Sequence, residues 1–216
     1  MPRNRDNVRR LLESIGPPLR RTILQFYRPD SCIASVRIGI DVLAGLGLQA
    51  SPLMVQTNIF NAAMVRLLEE RNGELPDDRA ERMALFEAVG AWGLGLGMRD
   101  PERTDQDPET SGIHVVAIVE QALLWDLSID QASRPQHNML IGEPLVADTT
   151  PAFLAGRAPL GLPESHGLGL IAITARPHDR RYAVSQNWRR DGRDAPLNAR
   201  IVAAVLDQLR QVVAGS

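Results

Sequence analysis

The chain holds one thiol, Cys32, in the run Pro29-Asp30-Ser31-Cys32. A cysteine attacks a carbonyl carbon as thiolate, and the amide dipoles at a helix N-terminus favour that anion. Asp30 or Ser31 can cap a helix, and Pro29 ends whatever precedes it. Ile33, Val36, Ile40 and Leu43 then recur at helical spacing until Gly47 stops the pattern. Cys32 therefore falls in the first turn of the helix that this spacing predicts. The alternative role is a buried cysteine that packs as a small apolar side chain.

A nucleophilic thiol needs a base, and the chain has four histidines: His114, His137, His166 and His178. The last three lie in turn-like, polar surroundings with no regular element to aim them. His114 opens a run of β-branched residues, so a strand would hold its ring. The next apolar run, Leu123-Leu124-Trp125-Asp126-Leu127, contains an acid flanked by large apolar groups, which is costly to bury without a partner. A turn centred on Glu120-Gln121 would make His114 and Asp126 near-symmetric positions of one hairpin. A carboxylate there can fix the imidazole tautomer and stabilise the imidazolium. Asp130 is a weaker candidate because it has left the strand. The expected arrangement is a helix-borne nucleophile, a strand-borne base and an orienting acid on the neighbouring strand. The amide of Cys32 would be one oxyanion donor; Gln25 could be another but reads better as an exposed helix residue.

Positioning these groups falls to the following elements. Asn7 to Ile15 reads as a short helix broken by Gly16-Pro17-Pro18, and Leu19 to Tyr27 as a second. After the Cys32 helix, Leu53 to Ile59 reads as a strand. Asn61 to Arg71 and Arg79 to Trp92 read as helices around an Asn72-Gly73 turn. Gly93-Leu94-Gly95-Leu96-Gly97 follows a helix rather than a strand, so it reads as a flexible turn and not a phosphate loop. Asp100 to Gly112 reads as an exposed acidic loop, either a connector or a lid over the site. Ile113 to Val119 and Ala122 to Leu127 form the hairpin that carries His114 and Asp126. Ser133 to Gly169 is dense in Pro and Gly and reads as mostly irregular. Leu170 to Ala175 and Arg181 to Gln186 suggest a second hairpin, joined by Pro177-His178-Asp179. Asn198 to Val213 closes the chain as an amphipathic helix with Ile201, Val205, Leu209 and Val212 inward. Helices first and strands clustered later imply an α+β domain with an antiparallel sheet.

Composition bounds the function classes. A chain of 216 residues, 44% apolar, fits one domain with a real core, built from aliphatic residues because aromatics are only 4%. The formal charge of −2 gives no global attraction to nucleic acid or membrane, and every apolar run is too short to span a bilayer. Residues 1–37 carry eight arginines against three acids, which reads as a solvated face rather than an anionic partner site. The patch Trp188-Arg189-Arg190 with Arg193 is too small to imply nucleic acid. One cysteine excludes an internal disulfide, and Met1 to Arg10 lacks a signal-peptide core; both favour a cytoplasmic location. Scattered histidines supply no metal-ligand cluster, so neither metal nor cofactor is expected. All 24 basic residues are arginine. A GC-rich genome would produce that, as would avoidance of self-modification at lysine.

The run Cys32-Ile33-Ala34-Ser35, then Leu43, then Gly47-Leu48-Gln49-Ala50, resembles the nucleophile helix of transglutaminase-like proteins. In that family a cysteine opens a helix that leads through glycine into a strand. Its histidine begins a later strand and its aspartate lies on the adjacent one, as His114 and Asp126 do here. The likeness covers roughly residues 30–59 and 112–131, and it extends more loosely to the leader-peptide peptidases of lasso-peptide pathways. The chain departs from the family at Ser31, where glycine is common, at Val115-Val116 after the histidine, and at Leu127 after the aspartate. The resemblance implies a papain-like, transglutaminase-like α+β domain over residues 1–216, its nucleophile helix packed on an antiparallel sheet. Residues 1–28 would form a helical N-terminal extension, and residues 99–112 an exposed loop. It implies a Cys32-His114-Asp126 triad acting on a peptide or amide substrate, as a thiol protease or amidase. The alternatives are a transglutaminase-type acyltransferase on the same triad, or a non-catalytic binding protein that keeps the fold and a protein partner.

Overall fold

A computed structural model describes residues 4–98, 112–142, 144–163 and 168–214. Helix α1 spans Arg5–Leu24 as one element that runs through Pro17 and Pro18. The sequence pattern predicts a break there, because each proline removes a helical donor at a cost of about 3 kcal/mol. What keeps the helix intact is burial. Val8, Leu12, Ile15, Leu19 and Ile23 form one continuous stripe, each 4% exposed or less, and such side chains contribute about 2 kcal/mol apiece. Gly16 lets this helix approach closely, since a Cβ there would lie 3.2 Å from Pro144 and 3.3 Å from the Trp125 indole nitrogen.

Helix α2, Cys32–Gly45, starts at the expected residue, although the Ser31 side chain makes no capping hydrogen bond. Strand β1, Ala50–Asn61, follows and organises the sheet. Asn61 ends it and caps helix α3, Ala62–Glu70, by accepting from the Met64 amide. Asn72 and Gly73 both take positive φ, as the turn there requires. Helix α4, Arg79–Val89, is capped by Asp78 and ends at a left-handed Gly90.

Gly93–Leu96 is not a flexible turn: it is strand β2, antiparallel to β1 through Thr57↔Leu96 and Phe60↔Gly93. Its glycine–leucine alternation is a period of two, with Leu94 and Leu96 packed on the core and the glycines on the other face. The acidic loop expected over Asp100 to Gly112 lies almost wholly outside the described residues.

Strands β3, Val115–Val119, and β4, Leu123–Asp126, form the expected hairpin, with Glu120 and Gln121 both at positive φ in its turn. The Pro/Gly-rich region beyond is more ordered than its composition suggests. It holds β5, Leu145–Asp148, paired with β4; a short helix α5, Pro151–Leu154; and β6, Leu160–Pro163, paired with β7. Strands this short carry too little periodicity to stand out among turn residues. Strand β7 spans Leu168–Ala175, but Arg181 to Gln186 is not its hairpin partner. Arg181–Val184 is a 3₁₀ turn, set by an Asp179 carboxylate that accepts from both the Arg181 amide and its guanidinium. The place of that expected strand is taken by β1 and β6. Helix α6, Ala195–Ala214, buries Ile201 and Val205.

The architecture is α+β, with all strand pairs antiparallel and the order β5-β4-β3-β1-β7-β6. β1 is long enough to pair twice along one edge: Ala50–Met54 with β3, then Thr57–Phe60 with β2. Its other edge pairs with β7. One sheet face, with Met54, Val115, Ala117, Val119 and Trp125, packs on α1, α2 and α6. The opposite face, with Val55, Ile59, Val116, Ile118 and Leu124, packs on Phe153 and the β2 leucines. Helix α2 lies close to the sheet because Gly39 offers no side chain; a Cβ there would sit 2.6 Å from a Leu127 methyl.

Candidate active site

His114 sits where β1 changes partners. Its carbonyl accepts the Val55 amide at 2.9 Å, just beyond the β3 pairing, and the chain leaving β2 meets it at Gly97. That glycine has φ +73°, and a Cβ on it would lie 2.2 Å from the Val55 carbonyl oxygen and 3.0 Å from the His114 Cβ. Only glycine fits this point. Asp126 ends β4, opposite Leu145 of β5. The register Ala117↔Trp125 sets Asp126 across from Val116, one pleat from His114 and on the same face.

From those positions the two side chains meet. His114 Nε2 lies 2.7 Å from Asp126 Oδ2, with exposures of 1% and 0%. The other carboxylate oxygen, Oδ1, accepts the Ser128 amide at 2.9 Å and the Ser128 hydroxyl at 3.3 Å. A buried carboxylate held this way has partners on both oxygens. Burial alone pushes the His114 pKa down. The Asp126 charge, the Asp126 hydrogen bond, and the hydrogen bond and charge of Cys32 outweigh it, raising the value from 6.5 to about 10. The imidazolium is thus the favoured form at neutral pH.

Cys32 completes the cluster from α2. It is 5% exposed, its Sγ lies 3.6 Å from the Ile113 carbonyl oxygen, and it stands near enough to His114 to help raise the imidazole pKa. The structure therefore brings Cys32 of α2, His114 just before β3 and Asp126 of β4 near one another, across 94 positions of the chain. First-turn amides of α2 lack helical acceptors and are available to a developing oxyanion.

Sequence reasoning missed two neighbours. The Gln131 side-chain amide lies 3.3 Å from His114 Nδ1. Arg20, only 4% exposed, braces the whole site. Its guanidinium donates to the Pro29 carbonyl at 2.6 Å, to the Ser35 hydroxyl at 2.9 Å and to both Asp130 oxygens at 3.0 and 3.2 Å. It thereby ties α1 to the segment before Cys32, to the first turn of α2 and to the segment that follows Asp126. Asp130 is the partner of Arg20 rather than of His114; burial pushes its carboxyl pKa up against the arginine's pull. A signal was present for Arg20: an arginine one position after Leu19 of the apolar stripe must bury part of its length.

The remaining candidates lie elsewhere. His137 stacks on Trp92 with ring centroids 4.5 Å apart, His178 is exposed, and His166 lies outside the described residues. Gln25 is exposed at the end of α1. Among the described residues there is no group of three or more His, Cys, Asp or Glu placed to hold a metal, and no helix long and apolar enough to cross a membrane. Several arginines of the basic segments are engaged locally: Arg9 with Asp148, Arg189 with Asp191, and Arg193 with Asp194. Comparison with protein-family models, with curated proteins and with solved structures finds no match to this chain.

Proposed function

We propose that the chain is a cysteine-dependent amide or peptide hydrolase on a papain-like, transglutaminase-like scaffold, with Cys32 as nucleophile, His114 as base and acid, and Asp126 as orienter. The observation that carries this reading is the buried 2.7 Å contact between His114 Nε2 and Asp126 Oδ2, on a ring whose pKa the sole thiol helps to raise. A structural histidine needs no carboxylate and thiol together.

In this reading the His114 imidazolium already holds the proton, and the Cys32 sulfur attacks as thiolate beside it and bonds to the substrate carbonyl carbon. The oxyanion so formed is stabilised by first-turn amides of α2. The imidazolium returns its proton to the leaving nitrogen, and the C–N bond breaks to leave a thioester. Water then attacks the thioester, giving its proton to His114, and the carboxylic acid departs as the thiolate re-forms. Asp126 keeps its negative charge throughout and holds the ring. An amine in place of water would give the acyltransferase reaction on the same residues.

The test is intermediate trapping. The protein is mixed with 4-nitrophenyl acetate, quenched in acid and analysed by mass spectrometry. One acetyl group should appear on Cys32, slowly or not at all in His114→Ala. Absence of any adduct from the wild-type protein would favour the non-catalytic binding reading.

A further inference from the structure

Asp126 holds one nitrogen of the His114 ring, and the other faces a side chain that the reaction above leaves unused. Gln131 belongs to the 3₁₀ turn Ile129–Ala132, which follows β4 closely. Its backbone is pinned on both sides: the amide donates to the Ser128 carbonyl at 3.1 Å, and the carbonyl accepts from the Arg134 guanidinium at 2.9 Å. From there the half-buried side chain brings its amide nitrogen to 3.3 Å from His114 Nδ1. The same nitrogen lies 3.5 Å from the Ser128 hydroxyl, which donates to Asp126 Oδ1 at 3.3 Å. His114, Asp126, Ser128 and Gln131 thus close a ring of side-chain contacts, and the imidazole is held at both nitrogens.

Holding Nδ1 is chemically demanding, because that nitrogen changes character when the ring titrates. With Nε2–H on Asp126, Nδ1 of the neutral ring is an acceptor; in the imidazolium it is a donor. An amide N–H facing Nδ1 suits the neutral ring alone, whereas the Asp126 charge favours the imidazolium at neutral pH. A primary amide reconciles the two, since a half-turn about its Cγ–Cδ bond exchanges N–H for carbonyl oxygen. A carboxylate could only accept, and an aliphatic chain could do neither. At 3.3 Å the contact is long for a hydrogen bond, so it yields readily to a substrate nitrogen. Among the described residues, the titrating groups that act on the ring are Asp126 from β4 and Cys32 from α2, while Asp130 is engaged by Arg20. Gln131 adds direction at Nδ1 without adding charge.

We propose that Gln131 is a positioning residue that serves both protonation states of His114, an inference that rests on the cysteine-hydrolase reading above. Its side-chain carbonyl accepts from Nδ1–H of the imidazolium. Once that proton has passed to the leaving nitrogen and the C–N bond has broken, the amide turns over and its N–H donates to the bare Nδ1. The ring plane then stays fixed until water returns a proton to the same nitrogen.

The test follows the His114 ring nitrogen-15 shifts against pH in the full chain, with His114→Ala identifying the signals. Gln131→Leu removes both roles, and Gln131→Glu keeps the shape but can only accept. The midpoint, about 10 in the wild-type protein, should fall by at least about one pH unit in Gln131→Leu and rise in Gln131→Glu. With 4-nitrophenyl acetate, the acetyl group on Cys32 should persist at least about tenfold longer in Gln131→Glu, because water needs a neutral ring to take its proton. The glutamate variant keeps the test decisive should the leucine variant fail to fold. A midpoint unmoved in a folded Gln131→Leu, or lowered in Gln131→Glu, overturns the inference. Acetylation of Cys32 with unmoved midpoints would sink Gln131 and leave the hydrolase reading standing. Midpoints in the expected order, with no acetyl on Cys32 in any of the three proteins, would keep Gln131 as the partner of the ring and sink the hydrolase.

Discussion

His114 and Asp126 meet at 2.7 Å in a pocket that leaves neither more than 1% exposed, although His114 stands one residue before β3, Asp126 ends β4, and the two are offset by one pleat. The charge of Asp126 holds the imidazole protonated against the pull of burial. In Asp126→Asn the shape survives and the charge does not, so burial should dominate and the ring should be neutral at pH 7. The carbon-13 and proton shifts of the His114 ring, followed across pH, should show this loss directly. Acylation of Cys32 should slow by about 100-fold or more.

The same raised pKa makes stability depend on pH. Below pH 6.5 the imidazole is protonated in both folded and unfolded chains, and the stabilisation is fully present. Above that value only the folded chain keeps its proton, so stability declines as pH rises through about 10. Urea unfolding measured from pH 6 to 10 should show a fall in the wild-type protein. The fall should be shallower in His114→Ala, and the difference isolates this group from the other titrating side chains.

Arg20 should matter more than its distance in sequence from Cys32 suggests. Arg20→Met keeps the apolar stem and removes every bond to Pro29, Ser35 and Asp130. Leaving Asp130 half-buried without its cation should cost about 3 kcal/mol in urea unfolding. The double variant Arg20→Met/Asp130→Asn should recover part of that loss. Cys32 acylation should fall in the single variant even under conditions where it is fully folded, because the segment before the nucleophile loses its anchor.

Gly39 sets how deeply α2 seats on β4. A valine there would drive a Cβ toward Leu127 and Trp125, both buried, and should destabilise the fold by about 2 kcal/mol. Thermal unfolding should report a lower Tm. Gly45→Ala makes a matched comparison at the other end of the same helix, where only the end of the Leu206 side chain has to move.

Which parts of this arrangement are legible in the sequence follows from the range of the forces involved. The first turn at Cys32 and the β3–β4 hairpin are set locally, by a proline stop, a helical stripe and a tight turn at Glu120-Gln121. An acid inside Leu-Leu-Trp-Asp-Leu announces a buried partner, and parity about the turn points to His114. The continuous α1 is different: Pro17 and Pro18 argue against it locally, and only packing against the sheet face overrides them. Strand β2 is hidden for a similar reason, because glycine lowers strand propensity and its alternation makes sense only beside β1. Arg20 and Gln131 act across separations of 110 and 17 residues, and their side chains carry no local mark of a partner.

The central claim is that His114 activates the Cys32 sulfur, and alkylation kinetics with iodoacetamide address it with the fewest assumptions. At pH 7 the wild-type thiol should react much faster than free cysteine, and His114→Ala should slow it by about 100-fold. Equal rates in the two proteins, both at or below that of a free thiol, would show that the ring does nothing for the sulfur and that the cluster is structural.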